Sequence, residues 1–265
     1  MKIIVSHDVD HLYITEHFTD TFLPGSVLRT AKSLFRSSIN LKEALKRYSF
    51  KVNRVKELHE FNAAHGVRET FFFGMRNGLN LSYNHTKAYP LIQYLLDNEV
   101  LVGLHGQGFN SIELLKEEQD RIQKILPNGY PLGIRNHYLR QDENTFNIMS
   151  QLGFLYDSTD YFMEAPRMIG DMWEIPISVM DAGFISHYSN DMDLLKERTA
   201  EKINEALKKD LPFFVINFHD IFFNEGYPDF YKWYKWLIPF LAERDMEFIN
   251  FSQAVKELNA HPVHQ

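Results

Sequence analysis

The opening run Met1-Lys2-Ile3-Ile4-Val5-Ser6-His7-Asp8-Val9-Asp10 decides how the rest of the chain is read. A β-branched apolar stretch delivers two carboxylates, two residues apart, where a strand would be ending. Comparable short apolar runs recur at 70–73, 100–104, 132–134, 173–175, 213–218 and 247–249. Between them lie amphipathic stretches near 52–64, 86–97, 111–125, 142–152, 193–208, 228–243 and 251–258, each long enough for a helix. This alternation predicts an α/β fold, with a mostly parallel sheet and helices packed outside it. Seven or eight such units favour a closed or nearly closed TIM-barrel-like sheet over an open one.

Residues 12–50 interrupt the pattern. They offer helices near 26–36 and 40–48 and end in the basic run Lys42 to Lys51, so they read as an inserted helical flap, with a lid over the strand ends the favoured role. No repeat or Gly/Ser linker divides the chain, and 1–265 reads as a single domain. There is no cysteine, which removes thiolate nucleophiles, disulfides and thiolate metal sites; a metal would fall to His, Asp or Glu. A formal charge of −7 gives no global attraction to nucleic acid or anionic lipid, although a local basic patch is compatible with it. No apolar run reaches the roughly 18 residues of a membrane span, and no leader pattern opens the sequence, so a soluble, cytoplasmic protein is expected. Oligomeric state is not legible.

The polar residues fall at one end of the expected barrel. The first strand ends in Asp8-Val9-Asp10, the third in Leu104-His105, the fourth in Arg135-Asn136-His137-Tyr138 and the seventh in Asn217-Phe218-His219-Asp220. In a parallel barrel these carboxyl ends are where loops converge on a substrate. Side chains two apart share a face, so Asp8, Asp10, His105, Arg135, His137 and His219 can point towards one axis. His7 faces away and reads as a hydrogen-bonded histidine of the outer layer; His11 cannot be placed. Neighbouring carboxylates repel unless a cation lies between them, and a divalent metal suits Asp with imidazole ligands. One carboxylate on the metal, one free as a base and an imidazole as acid together describe metal-assisted hydrolysis of an amide or ester.

Asp8-Val9-Asp10, Thr70-Phe71-Phe72-Phe73, Gly103-Leu104-His105, Arg135-Asn136-His137-Tyr138, Asp157-Ser158-Thr159 and Phe218-His219-Asp220 together resemble the polysaccharide deacetylases, the NodB-homology or carbohydrate esterase 4 family. The resemblance covers 1–10 and 52–258 and implies a distorted (β/α) barrel of about seven strands. It implies Asp8 as catalytic base, Asp10 and His105 as metal ligands, Arg135 as the residue orienting the base, the Tyr138 backbone N–H at the oxyanion and His219 as general acid. The family's second metal histidine, four residues after the first, falls here on Phe109, which cannot bind a metal. His137 stands where the family's Arg motif has proline, and it is the candidate for the missing third ligand. Trp173 lies near a later aromatic motif of the family and is a candidate sugar wall, against the alternative of a core tryptophan. The aromatics from Phe222 to Trp236 read as helix packing.

The expected activity is removal of an N-acyl group, acetyl foremost, from a sugar or glycan intermediate by a divalent-metal hydrolase, with zinc the leading metal. A cytoplasmic intermediate of surface-glycan synthesis fits better than finished wall polymer. Two other readings compete. A haloacid-dehalogenase-type phosphatase would use Asp8 as nucleophile, but its pattern wants Gly-Thr soon afterwards, where this chain has His11-Leu12. A catalytically silent glycan-binding barrel would explain Phe109 but not the base and acid pair. A glycosyltransferase Asp-x-Asp motif is weaker than either.

Overall fold

The computed structural model describes residues 1–188, 191–244 and 246–260. The sheet is built around β1 (Lys2–Val9), whose alternate residues face two different cores. β1 pairs in parallel with β2 (Glu69–Gly74) on one side and β9 (Phe213–Asn217) on the other, while β10 (Phe248–Ile249) pairs with its first half. From β2 the sheet continues through β3 (Leu101–Gly106), β4 (Ile134–Asn136), β5 (Tyr156–Asp157), β7 (Met172–Glu174) and β6 (Arg167–Ile169); beyond β9 lies β8 (Val179–Met180). Every pairing is parallel except β6 with β7. The sheet curls without closing. Where β7 and β8 fail to pair, the chain itself crosses the gap: Ile175 and Ile177 donate to the carbonyls of Asp157 and Asp160, and Ser178 donates to that of Val215. Among the described residues ten strands are thus formed where about seven were expected; the additional ones are two or three residues long, too short for periodicity to register.

Helices α3 (Val55–Ala63), α4 (Tyr89–Asp97), α5 (Ile112–Gln123), α6 (Thr145–Gln151), α8 (Met192–Lys208) and α9 (Pro228–Ala242) lie close to their expected positions. The outward strand residues, among them Ile3, Val5, Val9, Phe71, Phe73, Val102 and Leu104, form the main core with apolar residues of these helices. The inward residues Ile4, Phe72, Tyr156, Trp173, Val215 and Ile249 form a second core inside the curl. It is stoppered by α10 (Phe251–Ala260), which inserts Phe251, Ala254, Val255 and Leu258; Phe251 stacks on Tyr156 at 4.8 Å and nearly parallel. The plug fills one end of the sheet's interior, so a ligand has access only at the carboxyl ends of the strands.

The interruption at 12–50 leaves β1 and forms α1 (Phe22–Phe35) and α2 (Leu41–Lys46). Asn40 and Glu43 make a reciprocal capping box at the start of α2. A short helix not expected from the sequence, α7 (Asp181–His187), follows β8. Among the described residues no helix is long and apolar enough to cross a membrane.

Candidate active site

Strand register brings distant residues together. β3 and β4 align His105 with Arg135, and β1 and β9 align Ser6 with Asn217, so the inward side chains at the strand ends meet above Phe72. Arg135 is fully buried, its guanidinium 4.5 Å from the centre of the Phe72 ring, and its polar atoms are used. Nε donates to the Ser158 carbonyl (2.8 Å) and Nη2 to the Ser158 hydroxyl (3.0 Å). Nη1 donates to Asp8 Oδ1 and Asn217 Oδ1, both at 2.9 Å. Asn217 completes the ring by donating Nδ2 to Asp8 Oδ2 at 2.7 Å. Burial would raise the Asp8 pKa, but the positive charge around it, that of Arg135 foremost, overcomes it and holds Asp8 at about 2, ionised at any working pH.

Beside this ring Asp10, His105 and His137 converge. Asp10 Oδ1 lies 3.2 Å from His105 Nε2 and 3.4 Å from His137 Nδ1, and those two nitrogens are 3.0 Å apart. The opposite ring nitrogens are committed elsewhere: His105 Nδ1 lies 3.0 Å from the Arg135 carbonyl oxygen and His137 Nε2 2.9 Å from that of Leu79. A carbonyl oxygen only accepts, so both rings carry their proton on the far side. Two imidazole lone pairs and a carboxylate therefore face one another, and the buried Asp10 Oδ1 has no hydrogen-bond donor despite its close neighbours. Three acceptors aimed at one point repel unless a cation lies among them. The backbone carbonyls behind the rings fix their orientation, as in metal-ligating histidines. The donor set fits a divalent ion, and among the described residues this is the group of His and carboxylate atoms close enough to share one.

Two successive non-glycine residues with left-handed backbone, Tyr138 (φ 57°) and Leu139 (φ 52°), follow His137. This costly conformation at the end of β4 turns the chain beside the site. The Tyr138 side chain is exposed, lines the cavity and accepts from Asn80 Nδ2 at 3.1 Å.

On the opposite side, His219 Nε2 stands 3.7 Å from Asp10 and 3.9 Å from Asp8. Its Nδ1–H donates to Asp181 Oδ1 and its backbone N–H to Asp181 Oδ2, both at 2.7 Å. Burial would lower the His219 pKa, but the facing carboxylates, Asp181 first, raise it to about 10. His219 is therefore an imidazolium aimed at the cavity. Asp181 was not singled out in the sequence: it follows a two-residue strand and carries no local signature.

A cavity of about 460 Å³ opens over these groups. Asp10, His137 and His219 lie on its floor, while Phe22, Ser26, Arg29 and Arg47 of the 12–50 segment form a wall. Trp173 does not reach it. The ring is part of the inner plug, with Nε1 donating to Asn259 Oδ1 at 2.8 Å, so the core reading replaces the sugar-wall one. The apolar wall comes instead from Phe22, Phe222, Tyr227 and Phe230, with Phe222 and Phe230 stacked at 4.2 Å; three of these belong to the run expected only to pack helices. Phe109 lies under the guanidinium of Arg140 at 4.2 Å. His7 donates to the Phe218 carbonyl and accepts from Asn62, as an outer-layer histidine should. His11 lines the cavity and contacts His17, which in turn bonds Asp20.

No protein-family model matches the sequence, and no curated protein does. Solved structures do. A protein from Mycobacterium smegmatis assigned as a polysaccharide deacetylase superposes with a TM-score of 0.66 at 16% identity, covering 98% of this chain and 91% of that one. The chain has the polysaccharide-deacetylase fold. A Pseudomonas aeruginosa PAO1 protein with the same assignment gives 0.62 at 13% identity, covering 100% of this chain and 92% of the other. The PuuE allantoinase also gives 0.62, at 12% identity, with 99% and 91% covered. At these identities the likeness establishes architecture; the chemistry must be argued from the side chains.

Proposed function

We propose that this protein is a divalent-metal hydrolase that removes an N-acyl group, acetyl foremost, from a sugar or glycan intermediate. The observation that carries the reading is the convergence of the Asp10, His105 and His137 acceptors between an ionised Asp8 and a protonated His219. Asp10, His105 and His137 would hold the ion, with His137 in place of the histidine lost at Phe109. A bound divalent ion, zinc foremost, would acidify a water and polarise the acyl carbonyl. Asp8, oriented by Arg135 and Asn217, is the base that accepts the proton of the attacking water. The Tyr138 backbone N–H is assigned to the developing oxyanion. His219, charged by Asp181, delivers a proton to the departing nitrogen, so the amine leaves neutral.

The aromatic wall and the cavity's size suit a sugar ring, whose C–H faces pack on aromatic surfaces. The presence of an allantoinase on the same fold means that the substrate is argued from this cavity. A phosphatase nucleophile at Asp8 is disfavoured, since it would leave His105, His137 and His219, which gather around Asp8 and Asp10, without a role. Metal analysis of the purified protein, coupled to acetate release from a panel of N-acetylated mono- and oligosaccharides, tests the reading. Bound divalent metal with acetate release supports it; a metal-free protein inert towards every substrate after metal addition overturns it.

A further inference from the structure

The first flap helix is inside out. Its fully buried residues are polar: Ser26 and Thr30, the Thr30 hydroxyl accepting from Arg47 and Tyr48, while Phe22, Leu23 and Leu34 are half-buried. Its outward face is apolar, with Val27, Leu28 and Phe35 exposed by 54%, 72% and 93%. α2 continues the surface through Leu41 and Leu45, and Phe18 and Phe50 flank it. Seven of the thirteen exposed large apolar side chains among the described residues thus fall within 18–50. A helix folding against this barrel alone would place Val27, Leu28 and Phe35 inward as well.

Charge identifies the environment. Arg29, Lys32 and Arg36, spaced three and four apart, form a cationic stripe along α1 beside the apolar one, and Lys42 adds to it from α2. All four are exposed, and none belongs to an ion pair among the described residues. Residues 21–51 hold seven Lys or Arg and one acidic residue, Glu43, in a chain of formal charge −7. Parallel apolar and basic stripes on a helix are the pattern of an element lying in the headgroup boundary of an anionic bilayer. Symmetric self-association through the same face would instead bring the cationic stripes together.

We propose that α1 and α2 dock the protein on an anionic membrane surface, without spanning it. Arg29 also lines the cavity, so docking sets the mouth of the site beside the lipid headgroups. The assignment does not depend on the reaction catalysed.

Co-sedimentation of the full-length protein with phosphatidylcholine vesicles, with and without phosphatidylglycerol, is the test. Partitioning at least ~10-fold stronger to the anionic vesicles, weakened by salt, is expected. Leu28→Ser/Phe35→Ser, with an unchanged circular dichroism spectrum, should lose at least ~10-fold, and Arg36→Glu/Lys42→Glu should remove the preference for anionic lipid. Absence of the native protein from both vesicle pellets overturns the proposal. So does a dimer that Leu28→Ser/Phe35→Ser converts to monomer without any vesicle binding, since a second copy would then be the occupant.

Discussion

At the scale of single residues, two carboxylates two residues apart in the chain, Asp8 and Asp10, have different surroundings because their partners differ. Asp8 is held by donors and ionised; Asp10 turns Oδ1 to two imidazole nitrogens and Oδ2 to His219. Asp8→Asn is close in size but turns an amide N–H towards one of the two donors, Arg135 or Asn217, and removes the proposed base, so kcat should fall about 10²- to 10⁴-fold while metal content stays unchanged. His137→Ala should remove one ligand and lower metal occupancy at equal total metal; unchanged occupancy would end its assignment. Asp181→Asn removes the charge that contributes most to keeping His219 protonated. The basic limb of the pH–activity profile, set by loss of that proton, should therefore move to lower pH. The Asp8 linkage runs the other way. Its folded pKa of about 2 lies below the ordinary aspartate value of 3.8, so its stabilisation, on the order of 2 kcal/mol, is present above pH 3.8 and lost as pH falls towards 2. Acid titration of native protein against Asp8→Asn, followed by circular dichroism, measures it.

At the scale of elements, much was legible because strand ends carry their chemistry in register. The alternation of Asp8 with Asp10 and of Arg135 with His137 puts these side chains on one face, and in the fold they meet. What failed did so for physical reasons. Trp173 precedes a proline-containing turn in the sequence much as a loop aromatic would, but it faces the stoppered end of the curl. Asp181 acts from a seven-residue helix that offers too few turns for an amphipathic signal. The flap helices were visible, but their inverted polarity becomes apparent only once the buried face is known. Small residues have a comparable hidden role in β3. A methyl group on Gly103 would come within 2.5 Å of the Phe72 ring, the same ring that supports Arg135. Gly103→Ala should therefore destabilise the protein by about 1–3 kcal/mol in urea unfolding. It should also reduce activity by disturbing the Arg135 and Asp8 geometry.

At the scale of the whole molecule, a parallel sheet with outer helices follows from the alternation of runs, whereas its open seam does not. The seam depends on Ile175, Ile177 and Ser178 finding carbonyls on opposite edges, which is a tertiary event with no local trace. The Asp10, His105 and His137 cluster likewise joins the ends of three strands, so an ion held there, as proposed, should tie them together. A metal present at about 100 times its dissociation constant would add roughly 2.7 kcal/mol, raising Tm by about 5–10 °C. Calorimetry before and after chelator dialysis measures this, and His105→Ala should abolish the difference. Finally, the helix that stoppers the interior leaves the ribosome after every strand whose aromatic side chains it covers. Until it arrives, Phe72, Tyr156 and Trp173 have no stable lining, and β1 waits for partners made more than two hundred residues later. Synthesis therefore passes through a long interval in which an incomplete sheet offers greasy surface to its neighbours, and chaperone dependence during translation is the expected result.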